Sequence, residues 1–185
     1  MRRMIVSFGG VGLLPGMPGT YASFVAAVLF CILYLALGMT GCVIIAAATL
    51  PVTVIGYLLA DEAEKDFGKK DPSSFVLDEV LGQWLTLLLV FFVSLLWKPL
   101  CAQPVAHVAV GFLLFRAFDI AKPWPMRSVE TLPGGAGIML DDVVAGLYAA
   151  VSMTGMVWLV RSVIGSRVYD STELFSGVWS ALPLT

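Results

Sequence analysis

Two pairs of adjacent carboxylates, Asp78-Glu79 and Asp141-Asp142, each stand at the head of a long apolar run. Acids at a helix start complement the positive end of its dipole, so capping accounts for either pair alone. It does not account for Gln83, one turn beyond Glu79 on the same face and already inside the apolar run. Four clustered carboxylates repel one another unless basic side chains or a cation neutralise them. Oxygen donors without thiolate or imidazole beside them suit a hard ion, so Mg2+ fits better than Zn2+. A third polar run holds Arg116, Asp119 and Lys122 at three-residue spacing. It forms either a structural ion-pair relay or a clamp for a phosphate held near a metal. Pro123 and Pro125 prevent a smooth continuation of that helix. The fourth run extends from Gly9 to Thr20 and includes Gly10, Gly12 and Gly19. Repeated glycines permit positive φ and close approach of backbone N–H groups to a ligand. Thr20 is expected as an N-cap, where free N–H groups favour phosphate. A simple turn into the first span is the plainer reading, and no Gly-Lys-Ser/Thr follows to make a Walker loop.

Several chemistries are excluded. His107 is the single histidine; it lies nine residues before Arg116, about 13 Å along a helix, so the mechanism must work without imidazole. A phosphatase relying on several histidines is ruled out, as are a Cys-x5-Arg loop and an Asp-x-Asp-x-Thr/Val nucleophile run. The Asp-Gly-x-x-Ala-Arg motif of the CDP-alcohol phosphotransferases is also absent.

The elements that must position these groups are set by solvent. Of 185 residues, 59% are hydrophobic and 13% charged, with a mean hydropathy of +0.92. Soluble domains carry about 45–50% apolar and about 25% charged residues, so lipid must cover part of this chain. Net charge is −2, which gives no basic field for nucleic acid. Cys31, Cys42 and Cys101 lack CxxC spacing and read as apolar packing. The N-terminus has no apolar h-region or small-residue cleavage site. Apolar runs predict an all-α, polytopic bundle of about five membrane helices: Tyr21–Gly38, Gly41–Ala60, Val80–Trp97, Pro104–Phe118 and Val143–Val160. Met39-Thr40 is expected to link the first two as a hairpin. Residues 1–165 form the membrane domain, and 166–185 a polar tail whose Leu174–Leu182 stretch suits the interface.

Counting hairpins places the N-terminus and all four polar runs on one membrane side. That side holds eight of the eleven cations, and every acid except Asp170 and Glu173. Excess Lys and Arg marks the cytoplasmic face. A carboxylate-lined ion or metal transporter is the alternative, since intramembrane polar groups mark permeation paths. It calls for acids at mid-span and a matching set opposite, which the chain lacks.

Taken in order, these runs resemble one family. Gly10-x-Gly12-x-x-Pro15-x-x-Pro18-Gly19-Thr20, Asp78-Glu79-x-x-Gly82-Gln83-Trp84, Phe115-Arg116-x-Phe118-Asp119-x-x-Lys122-Pro123-x-Pro125 and Gly137-Ile-Met-x-Asp141-Asp142-x-x-Ala145-Gly146 are similar to those of the phosphatidylglycerophosphatase A family. The resemblance covers about residues 7–150. It implies a Mg2+-dependent enzyme of the bacterial cytoplasmic membrane that removes the terminal phosphate of phosphatidylglycerophosphate, leaving phosphatidylglycerol. The matching assignment makes Glu79, Asp141 and Asp142 leading metal ligands. Asp78 and Asp119 become ligands or the water-orienting base. Arg116 and Lys122 clamp the phosphate, aided by Gly10, Gly12, Gly19 and Thr20. The partners are then the lipid substrate and the surrounding membrane lipids; oligomeric state is left open.

Overall fold

The computed structural model describes residues 1–69, 72–97, 104–132 and 135–164, whose regular elements are all helices, with no strand among them. The elements are α1 (Arg2–Val6), a 3-10 turn (Val11–Leu13), α2 (Pro18–Leu37), α3 (Met39–Phe67), α4 (Leu77–Trp97), α5 (Pro104–Ala121), α6 (Met126–Val129) and α7 (Gly135–Ile164). The expected C-terminal tail, including 174–182, lies outside the described residues.

Four helices are long and apolar enough to cross a membrane: α2, α3, α5 and α7 over Gly135–Leu159. The remaining expected span, α4, has 21 residues and so also reaches about 30 Å, the thickness of the hydrocarbon core. It packs against all four of the others. Its Val80, Trp84, Leu87 and Leu88 join Ala22, Ala26 and Phe30 of α2 and Cys42 and Ile45 of α3 in one core. Leu77 and Leu81 meet Ala60 and Ala63 of α3 with Ile138 and Met139 of α7. The surrounding helices turn Ile32, Leu35, Leu50, Leu58, Leu113 and Val151 outward. Large exposed apolar side chains in such number fit a lipid solvent and not water.

Three boundaries differ from expectation. Gly38 alone joins α2 to α3, at φ 57° and ψ −128°, a backbone state open to glycine and strained for other residues. Met39 and Thr40 therefore begin α3 instead of forming the link. The helix α3 runs on through Asp61 to Phe67, beyond the apolar run. α1 latches this extension: Arg2 ion-pairs with Glu62 and reaches Asp66 at 3.5 Å, while Arg3 donates to the Asp66 carbonyl at 2.6 Å. Finally, α7 begins at Gly135, eight residues earlier than Val143. Asp141 and Asp142 are thus in its second turn, inside the helix and not at its head.

Glycine sets how closely α4 and α7 approach. A Cβ at Gly82 would stand 2.5 Å from Phe115 Cε2 and 2.7 Å from the Asp142 carbonyl oxygen. One at Gly146 would stand 2.7 Å from the Gly82 carbonyl oxygen. Small residues at such crossings are the usual route to tight helix contact in lipid. Thr86 bridges the seam, its hydroxyl 2.9 Å from Gly82 O and 3.3 Å from Gly146 O. The Gly82→Ala variant is therefore expected to lose about 1–3 kcal/mol of stability through overpacking, read as a lower unfolding temperature in detergent. Gly155→Ala, where a Cβ meets nothing within 4 Å inside α7, is expected to unfold at or above the wild-type temperature.

Candidate active site

One end of the bundle collects the chemistry. The first turn of α4 brings Asp78 and Glu79, and the second turn of α7 brings Asp141 and Asp142. The last turns of α5 add Arg116 and Asp119, with Lys122 just beyond. The first turn of α2 adds Gly19 and Thr20. Every acid among the described residues belongs to this end or its adjoining loops, whereas His107 sits in the opposite, first turn of α5. A carboxylate path through the membrane finds no support in that arrangement.

Asp78, Glu79 and Asp142 each present a carboxylate oxygen, and the three oxygens lie within 4.8 Å of one another. Asp119 stands beside them, near enough to Asp142 and Glu79 for its charge to act on theirs. Asp142 is 2% exposed. Glu79 Oε2 and Asp142 Oδ1 are buried with no hydrogen-bond partner among the described residues. Arg116 ion-pairs with Asp119 and stands 3.5 Å from the Ser23 hydroxyl. Lys122 Nζ donates to Asp141 Oδ2 at 2.8 Å and to Glu130 Oε2 at 3.1 Å.

This splits the expected ligand set. Asp78, Glu79 and Asp142 converge, while Asp141 is held by Lys122 and by the Asp142 amide, which donates to Asp141 Oδ1 at 3.0 Å. Adjacent helical residues point about 100° apart, so Asp141 and Asp142 serve different neighbours. Five carboxylates here face two cationic side chains, which leaves excess negative charge in a dry setting. The donor set is all oxygen, clustered, with unused lone pairs. Such a set fits a hard divalent cation.

The glycine run divides likewise. Gly9 N–H donates to Met4 O, and the Gly10 and Gly12 N–H groups donate to Ser7. A Cβ at Gly12 would stand 2.5 Å from Ser74 O. Gly10 thus closes the N-terminal turn onto Ser7 and Gly12 seats that segment on the turn before α4, where Val76 N–H donates to Val6 O at 3.0 Å. Their amides are engaged, so backbone contact with a ligand falls to the first N–H groups of α2. Met17, not Thr20, occupies the N-cap, because Pro18 opens the helix. Thr20 lies within the first turn, and its Oγ1 is buried without a partner among the described residues. Gly19 is at the cluster itself: a Cβ there would stand 2.1 Å from Glu79 Oε1 and 3.4 Å from an Arg116 terminal nitrogen.

Two neighbours escaped sequence reasoning. Ser23, fully buried, donates to Gly19 O at 2.8 Å; its spacing from Gly19 is the same four residues that relate Gln83 to Glu79. Glu130 is the second partner of Lys122, and its position in the Pro-rich connection carried no periodic signal.

Lys122 closes α5, its N–H donating to Phe118 O at 2.8 Å, with φ at +41°. A left-handed non-glycine residue costs about 1 kcal/mol, and here it lets the ammonium turn back onto α7. Burial disfavours that ammonium, but hydrogen bonds and charge from Asp141 and Glu130 outweigh it and hold the pKa above the ordinary lysine value. A raised cation pKa gives stability that is complete below the unfolded value, about 10.4, and is lost only as pH rises through the folded one.

Comparison with known proteins finds relatives for nearly the whole chain. The family described as phosphatidylglycerophosphatase A matches residues 4–157. A Bacteroides thetaiotaomicron protein, provisionally named a phosphatidylinositol-3-phosphatase, is 35% identical over 82% of this chain and 90% of its own. Phosphatidylglycerophosphatase A of Escherichia coli is 36% identical over 80% of this chain and 77% of its own. That of Haemophilus influenzae is 35% identical over 80% and 83%. No solved structure gave a significant match.

Removing the ammonium should expose the Asp141 charge. Lys122→Met is expected to cost about 1–2 kcal/mol, and the double variant with Asp141→Asn less than the sum of the two singles. Unfolding temperatures in detergent measure this cycle, and the wild-type contribution of the pair should stay constant between about pH 6 and pH 9.

Proposed function

The chain belongs to the phosphatidylglycerophosphatase A family, and we propose that it hydrolyses the terminal phosphate of phosphatidylglycerophosphate to give phosphatidylglycerol, with Mg2+ as cofactor. It is a membrane phosphatase. The observation that carries it is the converging trio of Asp78, Glu79 and Asp142, with carboxylate oxygens left unpartnered at the head of an apolar bundle. Two relatives are named for phosphatidylglycerophosphate and one for a phosphoinositide. All three names describe a phosphate ester on a lipid headgroup, the chemistry that a polar site at a bundle end would meet.

Asp78, Glu79 and Asp142 would hold the cation. When bound, it supplies neutralisation of phosphate oxygens and lowers the pKa of a nearby water. The remaining work falls to this chain. Arg116 and Lys122 flank the trio and complement the phosphate, Arg116 with a planar fork and Lys122 as a point charge. Both are held by an acid, Asp119 and Asp141, so neither must be ordered on binding. Gly19 keeps the approach to Glu79 open, and Thr20 with the first N–H groups of α2 meets a phosphate oxygen. Gly10 and Gly12 support this from below by seating the N-terminal segment. Water attacks phosphorus as the bond to the glycerol oxygen breaks. Asp119, outside the trio, takes the water proton, and that proton passes on to the departing glycerol oxygen, which leaves as the alcohol. The bacterial inner membrane is the proposed location, with the site facing the cytoplasm; the cation count on that side supports the orientation.

Phosphate release from phosphatidylglycerophosphate in mixed micelles tests the reading. It is expected to require Mg2+, to stop with EDTA, and to fall about 100-fold or more in Glu79→Gln and in Asp142→Asn. EDTA-resistant release, or full activity in both variants, would contradict it. Faster turnover of phosphatidylinositol 3-phosphate would reassign the substrate while keeping the chemistry.

A further inference from the structure

Below its acids, α4 carries one polar side chain that the reaction above does not use. Gln83 is fully buried, and both Oε1 and Nε2 lack a hydrogen-bond partner among the described residues. The contrast with its neighbours is direct. Trp84 Nε1 donates to Ala26 O at 3.0 Å, and the Thr86 hydroxyl donates to Gly82 O at 2.9 Å. In a lipid-embedded bundle, an amide with neither group satisfied is expensive, and an apolar residue of the same size would fill the space without that penalty.

Its placement ties it to the site. Gln83 follows Glu79 by four residues, so the two share a face of α4. Helical side chains lean towards the preceding turn, which returns the amide towards Glu79. Glu79 in turn lies against Gly19 of α2 and beside Arg116 of α5.

The atoms left over specify the ligand. A cation would satisfy the Gln83 carbonyl and leave its NH2 group bare. A phosphate oxygen would do the reverse. A hydroxyl both donates and accepts, so it can answer the two ends of the amide together. We propose that Gln83 binds a neutral hydroxyl at the floor of the site. Two sources share that chemistry: the free alcohol on the glycerol headgroup of the substrate, or the attacking water. The inference rests on the phosphatase reading given above.

Steady-state kinetics of wild type and Gln83→Met on phosphatidylglycerophosphate and on phosphatidic acid separate the cases. Phosphatidic acid carries a phosphomonoester but no headgroup alcohol. Gln83→Met removes the unsatisfied amide, so its unfolding temperature is expected to equal or exceed that of wild type. Its kcat/KM on phosphatidylglycerophosphate is expected to fall roughly 10- to 100-fold. A loss through KM, confined to phosphatidylglycerophosphate, identifies the headgroup alcohol. A loss in kcat at constant KM, on every lipid that wild type hydrolyses, identifies the water. Gln83→Leu serves as a second apolar replacement should the methionine variant not fold. A folded variant within twofold of wild type on both lipids overturns the inference and leaves the proposed function standing. Wild-type inactivity on both lipids overturns the proposed function, and this inference with it.

Discussion

Mutual repulsion among carboxylates is the constraint to which the rest of this molecule answers. Asp78, Glu79, Asp119 and Asp142 are drawn together at the end of an apolar bundle, with Asp141 close behind. Arg116 and Lys122 offset part of that charge, bound to Asp119 and Asp141 and not to the trio of Asp78, Glu79 and Asp142. Separating the acids would relieve the repulsion, yet α4 and α7 hold them together. Stability is being spent to keep an electronegative cup in place, and a divalent cation is the simplest group that reverses the deficit.

Backbone proximity is what makes the cup possible. Glycines at 19, 82 and 146 remove the methyl groups that would otherwise separate α2, α4, α5 and α7 where the acids meet. The N-terminal segment has a related task. By bonding Val76 and packing Gly12 on Ser74, it sets the position at which α4 begins, and so the height of Asp78 and Glu79 in the membrane. The glycine run thus acts mainly on the placement of the acids, with the Gly10 and Gly12 amides bonded within the segment itself.

Much of this was legible in the chain. Apolar run length gave the five long helices, and counting hairpins brought four separated polar motifs to one end. What the chain did not reveal follows from two physical facts. Hydropathy detects lipid contact and not helical backbone, so α3 and α7 each extend past their apolar runs, to Phe67 and back to Gly135. That shift moved Asp141-Asp142 from a helix head into a second turn. Adjacency in sequence also hides direction: Asp141 and Asp142 look equivalent as letters but face different helices. The pairing of Lys122 with Glu130 depended on a left-handed residue ahead of Pro123, and no periodicity announces such a residue.

The central claim is that the buried trio holds one hard divalent cation, and Mn2+ binding followed by electron paramagnetic resonance on purified protein in detergent tests it most directly. The account predicts saturable binding displaced by Mg2+, together with its loss in Asp142→Asn and its persistence in Asp66→Asn, an acid that among the described residues is engaged by the N-terminal latch. Absence of saturable binding, or binding unchanged in Asp142→Asn, would contradict it.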